Sequence, residues 1–233
     1  MQTIDDGRFD PIATRAGFFQ APLAEVLEAF TSWQRSLDSV TAVQVTEIRD
    51  AFPHSLAELD PLVIGGRDRY LLIDHGDWTA YFDNGHTGTD PVSPVGHLTR
   101  MHGWFGVTLT CAESVEGRWG ALQFELMGPE QTDWLNRIRS ISLTEDEGRW
   151  SWNVGGEVQP FEDVEAYTAR RKTDRLTPEA LGAYCEALGF DPFDWTHYGR
   201  TMLVRTELAW EDRARRVSLA QRRVELGVGS PPG

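Results

Sequence analysis

Hydrophobic positions recur at two spacings along the chain, and the change between them divides it. Leu23, Val26, Leu27, Phe30, Trp33 and Leu37 fall three or four apart behind Pro22, which predicts an amphipathic helix over 22–37. From there to about residue 154 the period is two. Val43 and Val45 alternate with polar neighbours, as in a half-buried strand over 40–48. Ser55 to Leu59, bracketed by Pro53 and Pro61, reads as a short helical turn. Arg69 to Asp74 and Trp78 to Asp83 are apolar runs joined by His75-Gly76-Asp77. That junction predicts a hairpin, because glycine adopts a positive φ without steric cost. A helix over 93–101 interrupts the strands. They resume as Trp104 to Ala112 and Trp119 to Met127 around Glu116-Gly117, then as Leu135 to Leu143 and Arg149 to Val154 around Glu145-Asp146-Glu147-Gly148.

After Pro160 the period returns to 3.6. Phe161, Val164 and Tyr167 predict a helix running into Arg170-Arg171-Lys172. Thr177-Pro178-Glu179 opens a second one, with an N-cap and a proline at the first position. Leu181, Tyr184, Cys185 and Leu188 form its apolar face, and Gly189 stops it. Phe190 to Trp195 is an aromatic loop, Met202 to Leu208 a final strand, Ser218 to Leu226 a short capped helix, and Gly227 to Gly233 a frayed end. The expected fold is therefore α+β: a mainly antiparallel sheet of about five to seven strands, packed by an N-terminal helix, with a C-terminal helical region. The division expected is an α+β core domain over 1–159 and a helical region over 160–233 packed on it.

Charge narrows the partners. The formal net charge is -14, and residues 1–117 carry most of it, with 17 acidic residues against 7 basic, compared with 19 against 15 in the remainder. A surface that binds nucleic acid or anionic membrane must supply cations, so neither partner is expected and a basic protein is the better fit. Arg213, Arg215, Arg216, Arg222 and Arg223 suit docking of the C-terminal stretch onto the acidic front half. Cys111 and Cys185 have no Cys or His neighbour at metal-ligand spacing and read as buried thiols. With no basic and apolar leader visible after Met1, and no run near the roughly 18 apolar residues of a membrane helix, the expected setting is the cytoplasm.

One segment concentrates chemistry. Asp83-Asn84-Gly85-His86-Thr87-Gly88-Thr89-Asp90-Pro91 joins turn formers, oxygen donors and a histidine between a strand and a helix. Asp83, Asn84, His86 and Asp90 are the candidate binding residues, for a polar ligand or, through the glycine amides, an anion. The competing reading is an Asx-rich loop that caps its own backbone. The segment lacks the order of an EF-hand and of both glycine-rich phosphate loops, so neither a metal nor a cofactor is expected. His97 and His102, five apart, miss the helical geometry of a metal pair. Glu125 with Asp83 would make a glycosidase-like carboxylate pair, with tryptophans as sugar platforms. Burial at strand positions explains Trp78, Trp104, Trp119, Trp150 and Trp152 without a ligand and is the favoured reading.

A second candidate surface is the run Glu145, Asp146 and Glu147 beside Trp150 and Trp152, where acidic residues would steer a partner and aromatics anchor it. Glu162 and Asp163 fit a helix N-terminus. With no complete catalytic set, the function expected is a non-catalytic cytoplasmic interaction protein, of immunity or inhibitor type, binding a basic partner. The alternative is a small-molecule-binding protein or hydrolase-like enzyme using the loop from Asp83 to Asp90.

Overall fold

The computed structural model describes residues 3–116, 118–209 and 214–229. Gly117, Arg213 and the last four residues of the expected frayed end lie outside the described residues. The strands are β1 (Arg15–Phe19), β2 (Val40–Ile48), β3 (Leu62–Ile64), β4 (Arg69–His75), β5 (Trp78–Asp83), β6 (Gly106–Ala112), β7 (Ala121–Thr132), β8 (Leu135–Asp146), β9 (Arg149–Gly156), β10 (Thr201–Leu208) and β11 (Arg215–Val217). The α-helices are α1 (Leu23–Arg35), α2 (Val92–His102), α3 (Pro178–Ala187) and α4 (Leu219–Glu225). Nine strands form one sheet in the order β2-β10-β4-β5-β1-β6-β7-β8-β9, antiparallel at every pairing, and β11 pairs with β3. The fold is α+β.

Alternation along the strands sends side chains to two cores. Tyr70 and Leu72 of β4, Tyr81 of β5 and Val204 of β10 meet Val26 and Phe30 of α1, with the Phe30 and Tyr70 rings 5.0 Å apart. Leu71 and Ile73, Phe82, Leu109, Phe124 and Ile141 face the other way. There they meet the N-terminal segment (Ile4, Phe9, Ile12), together with Leu181 and Tyr184 of α3. β1, β4, β5 and β10 are thus apolar on both faces, and β1, absent from the expected strands, is inserted between β5 and β6. Gly17 of β1 lets α2 approach closely: a Cβ there would stand 2.8 Å from Pro91 and from Val95.

After Pro160 the chain departs in part from expectation. The expected final strand forms as β10 and lies between β2 and β4, one place in from the edge of the sheet. No α-helix starts at Phe161; only short 3-10 turns form, at Ala166–Thr168 and Lys172–Asp174. Val164, the middle of the supposed apolar stripe, is exposed. Asp163 accepts the amides of Glu165 and Ala166 through Oδ1, a local alternative to helical bonding. Glu162 is drawn inward to Arg139. α3 does form as its signals predict, with Thr177 Oγ1 accepting the amide of Ala180. The C-terminal arginines bind the front half: Arg216 pairs with Asp68 at 2.5 Å, and buried Arg223 donates to the carbonyls of Gly7 and Asp10. Cys111 and Cys185 are buried free thiols.

The N-terminal segment carries a pH-sensitive carboxyl. Asp5 is fully buried and accepts the amides of Gly7 and Phe9. Burial pushes its pKa up to about 6, the Phe9 amide opposing and Asp10 adding to the rise. Its folded value lies above the unfolded value of about 3.9, so the folded state holds the extra proton between the two. Stability from this group grows as pH falls through about 6 and is lost as pH rises. Burial lowers the pKa of His75, which acts in the opposite direction, so the comparison is made against Asp5→Asn. Between pH 7 and 4 the wild type should gain about 2 to 3 kcal/mol on that variant in urea unfolding. A pH-independent difference would contradict the buried carboxyl.

Candidate functional site

The loop after β5 is built around Asp83, whose side chain is fully buried. One oxygen accepts the Gly85 amide at 2.9 Å. The other accepts the Tyr81 hydroxyl at 2.9 Å and the Asp90 amide at 3.1 Å, and lies 3.5 Å from Arg67 Nε. Burial pushes the Asp83 carboxyl up, and Arg67 and the two amides pull it down. Thr89 ties the loop shut: its hydroxyl accepts the Asp83 amide and donates to the Asp83 carbonyl. Asn84, also buried, bridges to the β4 entry. Its Oδ1 accepts the amides of Asp68 and Arg69, and its Nδ2 donates to Pro61 O and Asp68 Oδ1.

Asp90 takes a charge-assisted bond from Arg67 Nη2 at 2.9 Å. His86 is half-buried and donates its amide to Val63 O; burial, followed by the Arg222 charge, lowers its imidazole pKa. The Gly88 amide bonds Gly85 O and the Thr89 amide Ile12 O, so the amides offered to an anion already have protein acceptors. Asp83, Asn84 and Asp90 are therefore brought together with Arg67, Asp68 and Tyr81. Tyr81 was legible, since residues two apart on a strand share a face. Arg67 was not, because nothing local places it against Asp83.

Other candidates separate. Glu125 bonds Arg137 Nε at 2.9 Å and Thr108 at 3.0 Å. It lies on β7, three strand spacings or about 14 Å from β5, beyond the roughly 5 to 9.5 Å that glycoside hydrolysis requires. His97 stacks on Trp33 and His102 on Trp104, each with centroids 4.8 Å apart. Among the described residues no three His, Cys, Asp or Glu side chains form a group that could hold a metal ion. No described helix is long and apolar enough to cross a membrane.

The acidic run occupies the β8–β9 hairpin. Glu147 and Gly148 take φ of 47° and 76°, the left-handed pair of a tight turn. Glu145 faces Trp150, and Leu143 faces Trp152. Both tryptophans are half-buried against the core: Trp152 lies 5.0 Å from Tyr167, and Trp150 closes over Gly120, where a Cβ would stand 2.8 Å from its ring. Trp119 departs from the burial expected of it. It is 58% exposed, and the next residue, Gly120, donates its amide to Glu145 Oε2 at 3.2 Å. The exposed Trp119 thus lies next in sequence to the residue that bonds Glu145, at the same end of the sheet as Asp146 and Glu147, while Trp150 and Trp152 pack against the core. This end of the sheet is four strand spacings, about 19 Å, from the Asp83 loop. No family model, curated protein or solved structure matches the chain.

Proposed function

We propose that this chain is a non-catalytic, cytoplasmic interaction protein of immunity or inhibitor type, which receives a basic protein partner at the end of the sheet formed by Trp119 and Glu145 to Glu147. The observation that carries the reading is an exposed Trp119 whose neighbour Gly120 bonds Glu145, the first of three consecutive acidic residues at the β8–β9 turn. A large apolar surface at low conformational cost, next to charges that steer an oppositely charged partner, is the composition of an interface anchor and its rim. The net charge of -14 acts in the same direction over longer range. Asp83, the buried carboxyl of the other candidate site, already has protein partners at both oxygens, so the loop adds no free acceptor there.

A photo-crosslinking residue placed at 119, and in a second preparation at Val45 on the distant edge strand β2, tests this. One basic protein should be captured from position 119 and not from 45, and purified it should bind the wild-type chain. Equal capture from both positions, or capture of acidic proteins only, would overturn the reading.

A further inference from the structure

The two edges of the sheet are finished differently. At β9, Lys172 donates its ammonium to the Trp150 carbonyl, and the strand ends on two glycines, with Gly156 at φ 81°. A lysine over the edge and a break in the extended backbone keep a sheet from pairing with another chain. β2, the other edge, has neither. It runs nine residues with no proline and no lysine, and Glu47 is its one charge. Among the described residues its strand partner is β10 alone, and the register slips only where Leu208 meets Val40.

Alternation fixes which backbone groups stand free. The Thr206 amide bonds Asp68 O, before β4, so Met202, Val204 and Thr206 turn their backbone towards β4. Leu203 and Arg205 turn theirs towards β2, opposite Thr46 and Gln44. Val43, Val45 and Glu47 therefore present their N–H and C=O groups to the open edge. A second extended strand answers such a row. A basic partner gains nothing here, because Arg200 and Arg205 offset Glu47 and Glu58. β2 itself fits. We propose that a second copy of this chain adds its β2 antiparallel to the first, about a two-fold axis at Gln44, so that two sheets become one. All nine residues then pair. Val43 exchanges backbone bonds with the second copy's Val45, Val40 faces Ile48, and Glu47 faces Thr41, so no like charges meet. Val43 packs on the α1 side, and Val45 shares that face and is 40% exposed. A groove walled by Leu23, Leu27, Val45 and Met202 leaves this face open beside the strand, and the second copy's valines extend it.

Sedimentation across a range of concentrations reads the dimer, which should form with a dissociation constant of about 10 to 100 μM. Each copy carries a formal net charge of -14, so raising salt from about 0.1 to 1 M should tighten the dimer, the reverse of its effect on a basic partner. Val45→Lys, which blunts the edge, should weaken it at least about tenfold. Cysteines test the register. Two copies of residue 44 would face each other with Cα atoms about 4.5 Å apart, within disulfide reach, whereas two copies of residue 46 would lie about 14 Å apart. Cys111 and Cys185 are buried, so mild oxidation should link Gln44→Cys at least about tenfold faster than Thr46→Cys. A photo-crosslinking residue at 45 should join two copies of the chain and not capture the basic partner. The proposal is overturned if the wild type stays monomeric at about 200 μM in 1 M salt, if Val45→Lys dimerises as tightly, or if the two cysteine variants link equally fast. Should Val45→Lys not fold, the cysteine pair decides alone.

Discussion

Glu162→Ala should lower the stability of the folded protein by about 3 to 5 kcal/mol, because it strands a buried arginine. Arg139 and Glu162 meet through two bonds, Nη2 to Oε2 at 2.6 Å and Nε to Oε1 at 2.8 Å, with side chains 3% and 0% exposed. The same carboxylate accepts the Gln159 amide and the Tyr167 hydroxyl, each at 2.7 Å. Without it, Arg139 keeps, among the described residues, only the carbonyls of Gly155 and Gly156. Glu47→Ala, which removes the exposed partner of Arg200, is the matched control and should barely move the urea midpoint. A loss below about 1 kcal/mol for Glu162→Ala would mean that the pair does not form in solution.

Gly88→Ala should cost more than about 2 kcal/mol. Gly88 holds φ at +101°, and a Cβ there would run into the Pro11 carbonyl oxygen, backbone that cannot swing aside, with Thr14 Oγ1 at 3.1 Å. The N-terminal segment packs against the loop at this point: Thr14 donates to Pro11 O, and the Thr89 amide bonds Ile12 O. Gly76→Ala, in the β4–β5 hairpin at φ +70° with nothing within 4 Å, isolates the backbone component and should cost only about 1 to 2 kcal/mol. Equal thermal shifts for the two variants would contradict the packing of the loop on Pro11.

Local signals were the legible part of this sequence. The β4–β5 hairpin follows from one glycine, and α3 from Thr177, Pro178 and Gly189. The 83–90 loop follows from Asx and threonine side chains that bond their own backbone. What the sequence hid is non-local. Glu162 looks like a helix-start acid until Arg139, 23 residues earlier, claims it. Strand alternation puts Trp119 among buried tryptophans, yet it lies two residues before β7 begins and is exposed. Nothing near Met202 to Leu208 tells that this last strand slots between β2 and β4, because pairing partners 128 or more residues away leave no local trace.

The central claim, that the acidic end beside Trp119 steers a basic partner, is most directly tested by the association rate of the crosslinked partner with the Glu145→Lys, Asp146→Lys, Glu147→Lys triple variant. The Debye length falls from about 10 Å at 0.1 M salt to about 3 Å at 1 M, so steering by exposed charge is strongest at low salt. At low salt the triple variant should associate about tenfold more slowly than wild type, with a smaller change in dissociation rate, and the gap should close as salt is raised. An association rate unchanged by the reversal across that salt range would contradict the claim and leave the charge without a role in recognition.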